Sequence, residues 1–334
     1  MRKKVISFAA CIVSVMMLPL TICAQDAATN NRLPIIDVHV HAMKVNPAFA
    51  SDMCPWFLSN MPGGDPSQPP PALLNTDCAT PLKAAKSDKE FQDALIETMK
   101  RLNMTIIASG DASIIRSWKK AAAPGRVIPS IGISASKEMT VVAFTDSLSK
   151  GFYKVMGEVA PQYQGMSPSD NSLDAYFTAA EKLNIPVGIH MGTGGNGMAN
   201  ITSPKYRAAL GNPLLLEDLL ARHPKLKVWV MHAGYPMIDE MIALMGANAY
   251  VYVDVAGMIW SYPLAEVNEY IRRMVQAGFG KRIMYGTDLM VWPKLLETSI
   301  GVIENANYLS FDQKRDIFFN NAVRFFRLDE SKFK

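Results

Sequence analysis

The sequence predicts an α/β chain folded as a distorted (β/α)8 TIM barrel, and three observations carry that reading. Short apolar, strand-like runs alternate with helical stretches eight times along the chain. The runs are almost continuously apolar, as strands covered by helices on both faces must be. Four of the five histidines and two carboxylates fall at the C-terminal ends of these runs, the end where a barrel of this kind builds its site. With 334 residues and 49% hydrophobic content, the chain can bury one such core. A doubly wound open sheet is the structural alternative. With 19% charged residues, no solenoid repeat and no charge run, the chain is neither disordered nor a nucleic-acid binder.

Residues 1–24 read as a secretory leader. Arg2, Lys3 and Lys4 precede the apolar run Val5 to Leu20, and Thr21-Ile22-Cys23-Ala24 offers a cleavage point before Gln25. Anchoring at Cys23 as a lipoprotein is the lesser alternative, because bulky Ile22 stands where a small residue is expected. Residues 25–334 then form the barrel, in the periplasm or secreted, with no stable membrane insertion. Removing residues 1–24 takes away three of the 34 basic residues and none of the 30 acidic ones, leaving 31 against 30. Net charge thus says nothing about partners. A small-molecule substrate is expected, with a homodimer left open. Only Cys54 and Cys78 remain, and two cysteines in an oxidising compartment are most simply a disulfide.

Pro34-Ile35-Ile36-Asp37-Val38-His39-Val40-His41 is the first strand. Alternation places Asp37, His39 and His41 on one face and Ile36, Val38 and Val40 on the other. A Pro/Gly-rich insertion from Met53 to Pro81 follows, long enough to be functional at the barrel mouth. A capped helix from Ser87 to Asn103 leads to the second strand, Met104 to Ala108. Helices near 111–122 and 139–150 lead to strands at 126–133 and 152–158. Strands at 186–190, 226–232, 249–253 and 282–285 alternate with helices near 173–184, 213–223, after Pro236, and 264–277. Two final helices lie near 293–306 and 311–326.

His190 ends the fifth strand, His232 the sixth, Glu158 the fourth, and Asp288 the eighth. Imidazoles and carboxylates converging there suit a borderline cation such as zinc. His223, before Pro224 at a helix end, reads instead as a surface residue facing the helix dipole. Asp37 reads as supporting or packing, and Asp254 as either catalytic or a buried salt-bridge partner.

Asp37-x-His39-x-His41, His190, His232 and Gly286-Thr287-Asp288, in that order, resemble the amidohydrolase superfamily. Arg222-His223-Pro224-x-Leu226-Lys227 and His232-Ala233-Gly234 resemble its branch of aminocarboxymuconate-semialdehyde decarboxylase-like, metal-dependent hydrolases. The resemblance spans essentially the mature chain. It implies a metal held by His39, His41, His190 and Asp288, with His232 either catalytic or a ligand of a second metal. Many binuclear relatives use a carboxylated lysine where this chain has Glu158. Two ions are favoured over one, with Glu158 bridging: His39, His41 and Asp288 on one ion, His190 and His232 on the other. The implied chemistry is hydrolysis of a small ester, lactone, amide or phosphoester by a metal-bound hydroxide, with Asp288 as the acid–base group and His232 on the substrate oxygen or second metal. Non-oxidative decarboxylation of an aromatic or unsaturated acid is the alternative within enzymes, and a zinc-holding binding protein the alternative outside them. Trp56, Phe57, Tyr163, Tyr206, Arg207, Tyr235, Trp260 and Trp292 are the pocket candidates. The aromatics suit a flat or apolar group, and Arg207, if turned inward, a carboxylate.

Overall fold

A computed structural model describes residues 32–46, 50–56, 78–133, 139–195 and 197–333. Residues 1–31, the expected leader among them, and most of the insertion, Phe57 included, lie outside the described residues. Residues 32–334 make one compact unit.

Eight strands run in sequence order around a single parallel sheet: β1 (Ile35–Ala42), β2 (Met104–Gly110), β3 (Val127–Ile133), β4 (Val155–Val159), β5 (Val187–His190), β6 (Val228–Met231), β7 (Tyr252–Asp254) and β8 (Ile283–Met284). β8 is only two residues long, yet the seam against β1 is closed beyond it. Val38 N donates to Tyr285 O at 3.0 Å, Asp288 N to His39 O at 2.8 Å, and His41 N to Leu289 O at 2.9 Å. The barrel therefore replaces the open-sheet alternative.

Helices cover the outside: α1 (Asp88–Arg101), α2 (Ala112–Ala121), α3 (Val141–Ser149) and α4 (Asp174–Lys182) in the first half. Ser87, Asp111 and Thr140 cap the first three, their side chains accepting first-turn amides. Short α5 (Met198–Ile201) follows β5, α6 (Glu217–Arg222) precedes β6, and α7 (Ile238–Ala247) follows it. The second half ends with α8 (Met258–Ser261), α9 (Leu264–Met274), α10 (Leu295–Glu304), α11 (Phe311–Arg315) and α12 (Asn321–Phe326). A single π-helical turn, Asp316–Asn320, joins α11 to α12 and interrupts the long final helix expected from periodicity. α5 and α8, each four residues, are too short to leave a periodic signature.

The interior of the barrel overturns one sequence expectation. Ile36 and Val38 pack inward with Ile107, Val155, Trp229, Met231 and Met284, closed below by Phe319, Phe325 and Phe333. Ile35, Val40 and Ala42 pack outward with the helices. The parity changes because the register against β2 shifts between Asp37 and Val40. Such a bulge re-aims side chains by one position. His39 and His41 therefore point inward alongside Ile36 and Val38, whereas Asp37 turns into the β1–β8 seam. There it accepts from His39 N, Thr287 N and the Thr287 hydroxyl. Burial pushes its carboxyl up to about 7 against these bonds. β4 repeats the device, with its register against β5 shifted between Met156 and Val159, so that Glu158 joins the inner face. The Gly157–Glu158 peptide is cis.

Cys54 and Cys78 form a disulfide, 24 residues apart in sequence, and Met53 pairs with Leu82 beside it. The bridge fixes the base of the insertion. Denatured, unreduced protein lacking residues 1–24, and so Cys11 and Cys23, is expected to show no free thiol, and replacing both remaining cysteines with serine to lower stability by ~3 kcal/mol, the loop-entropy scale for a span of this length. Two titratable thiols before reduction would contradict the bridge.

Candidate metal centre

β1 carries His39 and His41, β4 carries Glu158, β5 ends in His190, and the turns after β6 and β8 carry His232 and Asp288. His232 (φ 59) and Asp288 (φ 61) both adopt left-handed backbone. Non-glycine residues adopt that conformation at a cost, and here it turns both side chains back over the barrel mouth. Gly257 makes room for them. A Cβ there would lie 3.0 Å from His232 Nδ1 and 3.1 Å from Asp288 Oδ2.

The candidate ligand atoms gather in three triads, each within 4.8 Å: His39–His41–Glu158 and Glu158–His190–His232, which share Glu158, and His39–His232–Asp254. Glu158 Oε2 lies 3.9 Å from His39 Nε2 and 3.6 Å from His41 Nε2. Its other oxygen, Oε1, contacts His190 Nδ1 and lies 3.4 Å from His232 Nε2. Asp288 Oδ1 stands on the first side, 2.8 Å from His41 Nε2 and 3.6 Å from His39 Nε2. His190 thus groups with His232, as the bridged arrangement requires, rather than with the His39–His41 pair.

Outer partners favour a hydrogen on Nδ1 of His39 and of His232, since a carboxylate and a backbone carbonyl accept there. His39 Nδ1 lies 3.3 Å from Asp254 Oδ2, and His232 Nδ1 lies 2.9 Å from Ala256 O. His190 Nε2 lies 3.2 Å from the Tyr163 hydroxyl. Each outer nitrogen that donates its hydrogen leaves the inner nitrogen with a lone pair aimed at Glu158 and its neighbours. His39 Nε2 and Asp288 Oδ1 are buried with no hydrogen-bond partner among the described residues, although His41 Nε2 approaches Asp288 Oδ1 to 2.8 Å. Inward lone pairs, two unsatisfied buried atoms and a nitrogen–oxygen donor set fit a divalent metal.

Asp254 is the hub of this support. It also accepts from Trp229 Nε1 at 3.0 Å, His232 N at 2.8 Å and Ala256 N at 3.1 Å. That engagement makes it an orienting residue rather than a ligand or proton carrier. Trp229 reaches it because Gly188, opposite on β5, leaves no side chain in the way of the indole.

Electrostatics follow the same division. Burial pushes the Glu158 carboxyl up, but the surrounding imidazoles, His190 first and then His232 and His39, hold it well below the usual carboxylate range. Asp288 behaves alike: burial opposes, His39 and His41 override, and it falls to about 2. Burial also works against charge on His39 and His232, yet Asp288, Asp254 and Glu158 raise His39, and Glu158 and Asp288 raise His232. His190 is lowered, by burial first and then by His232. Both carboxylates are ionised, and the centre demands positive charge.

The model of the amidohydrolase family matches residues 36–328. The chain belongs to that family. Among solved structures, this amidohydrolase resembles an uncharacterised TIM-barrel protein from Bordetella bronchiseptica (16% identity, 88% of this chain and 99% of that one, TM-score 0.61). It also resembles a protein described as a probable 2-pyrone-4,6-dicarboxylic acid hydrolase from Acinetobacter baumannii (12%, 88% and 99%, 0.53). A third is 5-carboxyvanillate decarboxylase from Sphingomonas paucimobilis (14%, 89% and 100%, 0.52). At these identities the likeness concerns the fold. No curated protein matches the chain.

The amidohydrolase centre opens into a cavity of about 290 Å³. Four of the expected aromatics line it: Tyr163, Tyr235, Trp260 and Trp292. Tyr206 instead lies behind Tyr163, with ring centroids 5.2 Å apart, and bonds Gly192 O. Trp56 sits outside, donating to Ile259 O. Arg207 does not turn inward; it is exposed, and its guanidinium bonds Pro204 O and Tyr206 O. His223 is no surface residue either. It is buried, with Nε2 2.9 Å from Asp174 Oδ1. Sequence reasoning missed Tyr262 and the methionines of the wall, Met191, Met198, Met258 and Met290. The available signal was their position just after the strand-end residues His190, Asp254 and Asp288.

The orienting role of Asp254 is testable in this amidohydrolase. Asp254→Asn is expected to weaken zinc affinity about 10–100-fold in a chelator-competition titration, the usual scale for such partners, with circular dichroism unchanged. Unaltered affinity would show that Asp254 does not set the His39 tautomer.

Proposed function

We propose that the chain is an exported, metal-dependent hydrolase acting on an uncharged, flat or apolar ester, lactone or amide. One observation carries the reading: two triads share the Glu158 carboxylate beside an ionised Asp288, at the floor of a cavity without lysine or arginine among its described residues. Export is supported by the leader and by the Cys54–Cys78 bridge, since disulfides persist in oxidising compartments.

In this reading His39, His41 and Asp288 would hold one divalent ion, zinc or similar, and His190 and His232 a second, with Glu158 facing both. Such ions supply Lewis acidity, which acidifies water and polarises a substrate oxygen. Asp288, held low enough to be a carboxylate at neutral pH, accepts the proton of the attacking water and returns it to the leaving group. The aromatic and methionine wall takes up the acyl or aryl body and excludes water from it. Thr193 and Tyr262, whose hydroxyls lie 3.1 Å apart, supply the polar edge.

The uncharged wall favours hydrolysis of neutral substrates over decarboxylation and over phosphoesters. The insertion from 57 to 77 also contains no lysine or arginine. Among the described residues of the cavity, a substrate carboxylate or phosphate away from the reacting bond would meet no counter-charge, and burying it so costs several kcal/mol. Metal-loaded enzyme assayed on matched pairs, an aryl ester or lactone and the same scaffold bearing a carboxylate, is expected to favour the neutral member by about 100-fold in kcat/KM, some 2.7 kcal/mol. A preference for the carboxylated member, or release of carbon dioxide from it, would overturn the proposal.

A further inference from the structure

We propose that the opposite end of the barrel carries a second binding site, for an amphiphilic anion: an apolar body bearing a single anionic head. A cleft of about 860 Å³ opens there. The starts of four strands border it, at Val127, Lys154, Pro186 and Lys227, together with the C-terminal segment that follows α12. The metal centre lies at the far ends of these strands, so the two sites are separate.

Seven cationic side chains line the cleft against one carboxylate, Asp329. Asp329 is already engaged by the amide and hydroxyl of Ser331. Lys150 has a partner in Asp146, and Arg126 lies over the Phe333 ring. Lys119, Lys154, Lys227 and Arg327 have no carboxylate within ion-pair distance among the described residues. In a chain whose charges nearly cancel beyond residue 24, this excess is local. The floor is apolar, built from Phe152, Ile185, Phe326, Leu328 and Phe333. An inorganic anion alone would leave that floor wet, and a neutral apolar molecule would leave the cations unmatched. An amphiphilic anion satisfies both.

Arg327 supplies the independent argument. It follows α12 in left-handed conformation (φ 53, ψ 47), where glycine fits without penalty. Its charge also bears on half-buried Lys227, whose ammonium is lowered by burial and then by Arg327. Both features cost folding stability, and a bound anion relieves the second.

The test uses metal-loaded mature enzyme and isothermal titration with three probes below micelle-forming concentration: dodecyl phosphate, dodecyl maltoside and inorganic phosphate. Dodecyl phosphate is expected to bind at one saturable site, more weakly as salt rises. Maltoside and inorganic phosphate should each bind at least about tenfold more weakly, and Lys227→Gln and Arg327→Gly should each weaken dodecyl phosphate about tenfold, the scale of one charge-assisted contact. Ligand-free Arg327→Gly should melt above wild type, with hydrolytic turnover unchanged. Equal binding of either control, affinity indifferent to both substitutions, or an Arg327→Gly protein that melts lower would overturn the proposal.

Discussion

Two ionised carboxylates, Glu158 and Asp288, are held at the mouth of this barrel among imidazoles, with no lysine or arginine paired to them among the described residues. Charge removed from water in this way demands a counter-charge. Protonated imidazoles meet the demand in part, as the raised His39 and His232 show. The tautomers favoured from outside, however, turn inner nitrogens toward the centre as acceptors. The two tendencies conflict at His39, which has Asp254 on one nitrogen and an unpartnered atom on the other. A divalent cation resolves the conflict, because it supplies positive charge and uses the lone pairs at once.

The rest of the architecture serves that arrangement. Register shifts in β1 and β4 bring His39 and Glu158 to the inner face. Asp37 and Thr287 lock the β1–β8 seam, so that Asp288 and the His-x-His pair keep a fixed separation. Trp229 fills the interior and presents its indole hydrogen to Asp254. Chemistry gathers at the C-terminal ends of the strands, while the other end is closed by phenylalanines from the final helices and rimmed by cations. A site on rigid strands and turns keeps its geometry better than one carried by the insertion.

Most of the site was legible because it depends on placement at strand ends, which apolar runs and following glycines mark. His39, His41, Glu158, His190, His232 and Asp288 all stand at such positions, and their side chains come together at the mouth as a candidate site. The faces of β1 were not legible. A bulge shifts parity by one residue, and no residue type at Asp37 or Val38 announces it. Arg207 and His223 failed for a related reason: whether a side chain turns in or out is decided by tertiary partners such as Pro204 O and Asp174. The methionine wall went unread because methionine at a loop position carries no periodic signal, although it fills irregular cavities well.

The central claim is that Glu158 presents one oxygen to each of two cations. Anomalous-scattering diffraction from zinc-loaded crystals tests it most directly. Two peaks about 3.5–4 Å apart are predicted, flanking the Glu158 carboxylate, one beside His39, His41 and Asp288 and the other beside His190 and His232. A single peak at full occupancy, coordinated by His39, His41, His190 and Asp288 with Glu158 turned away, would contradict the account.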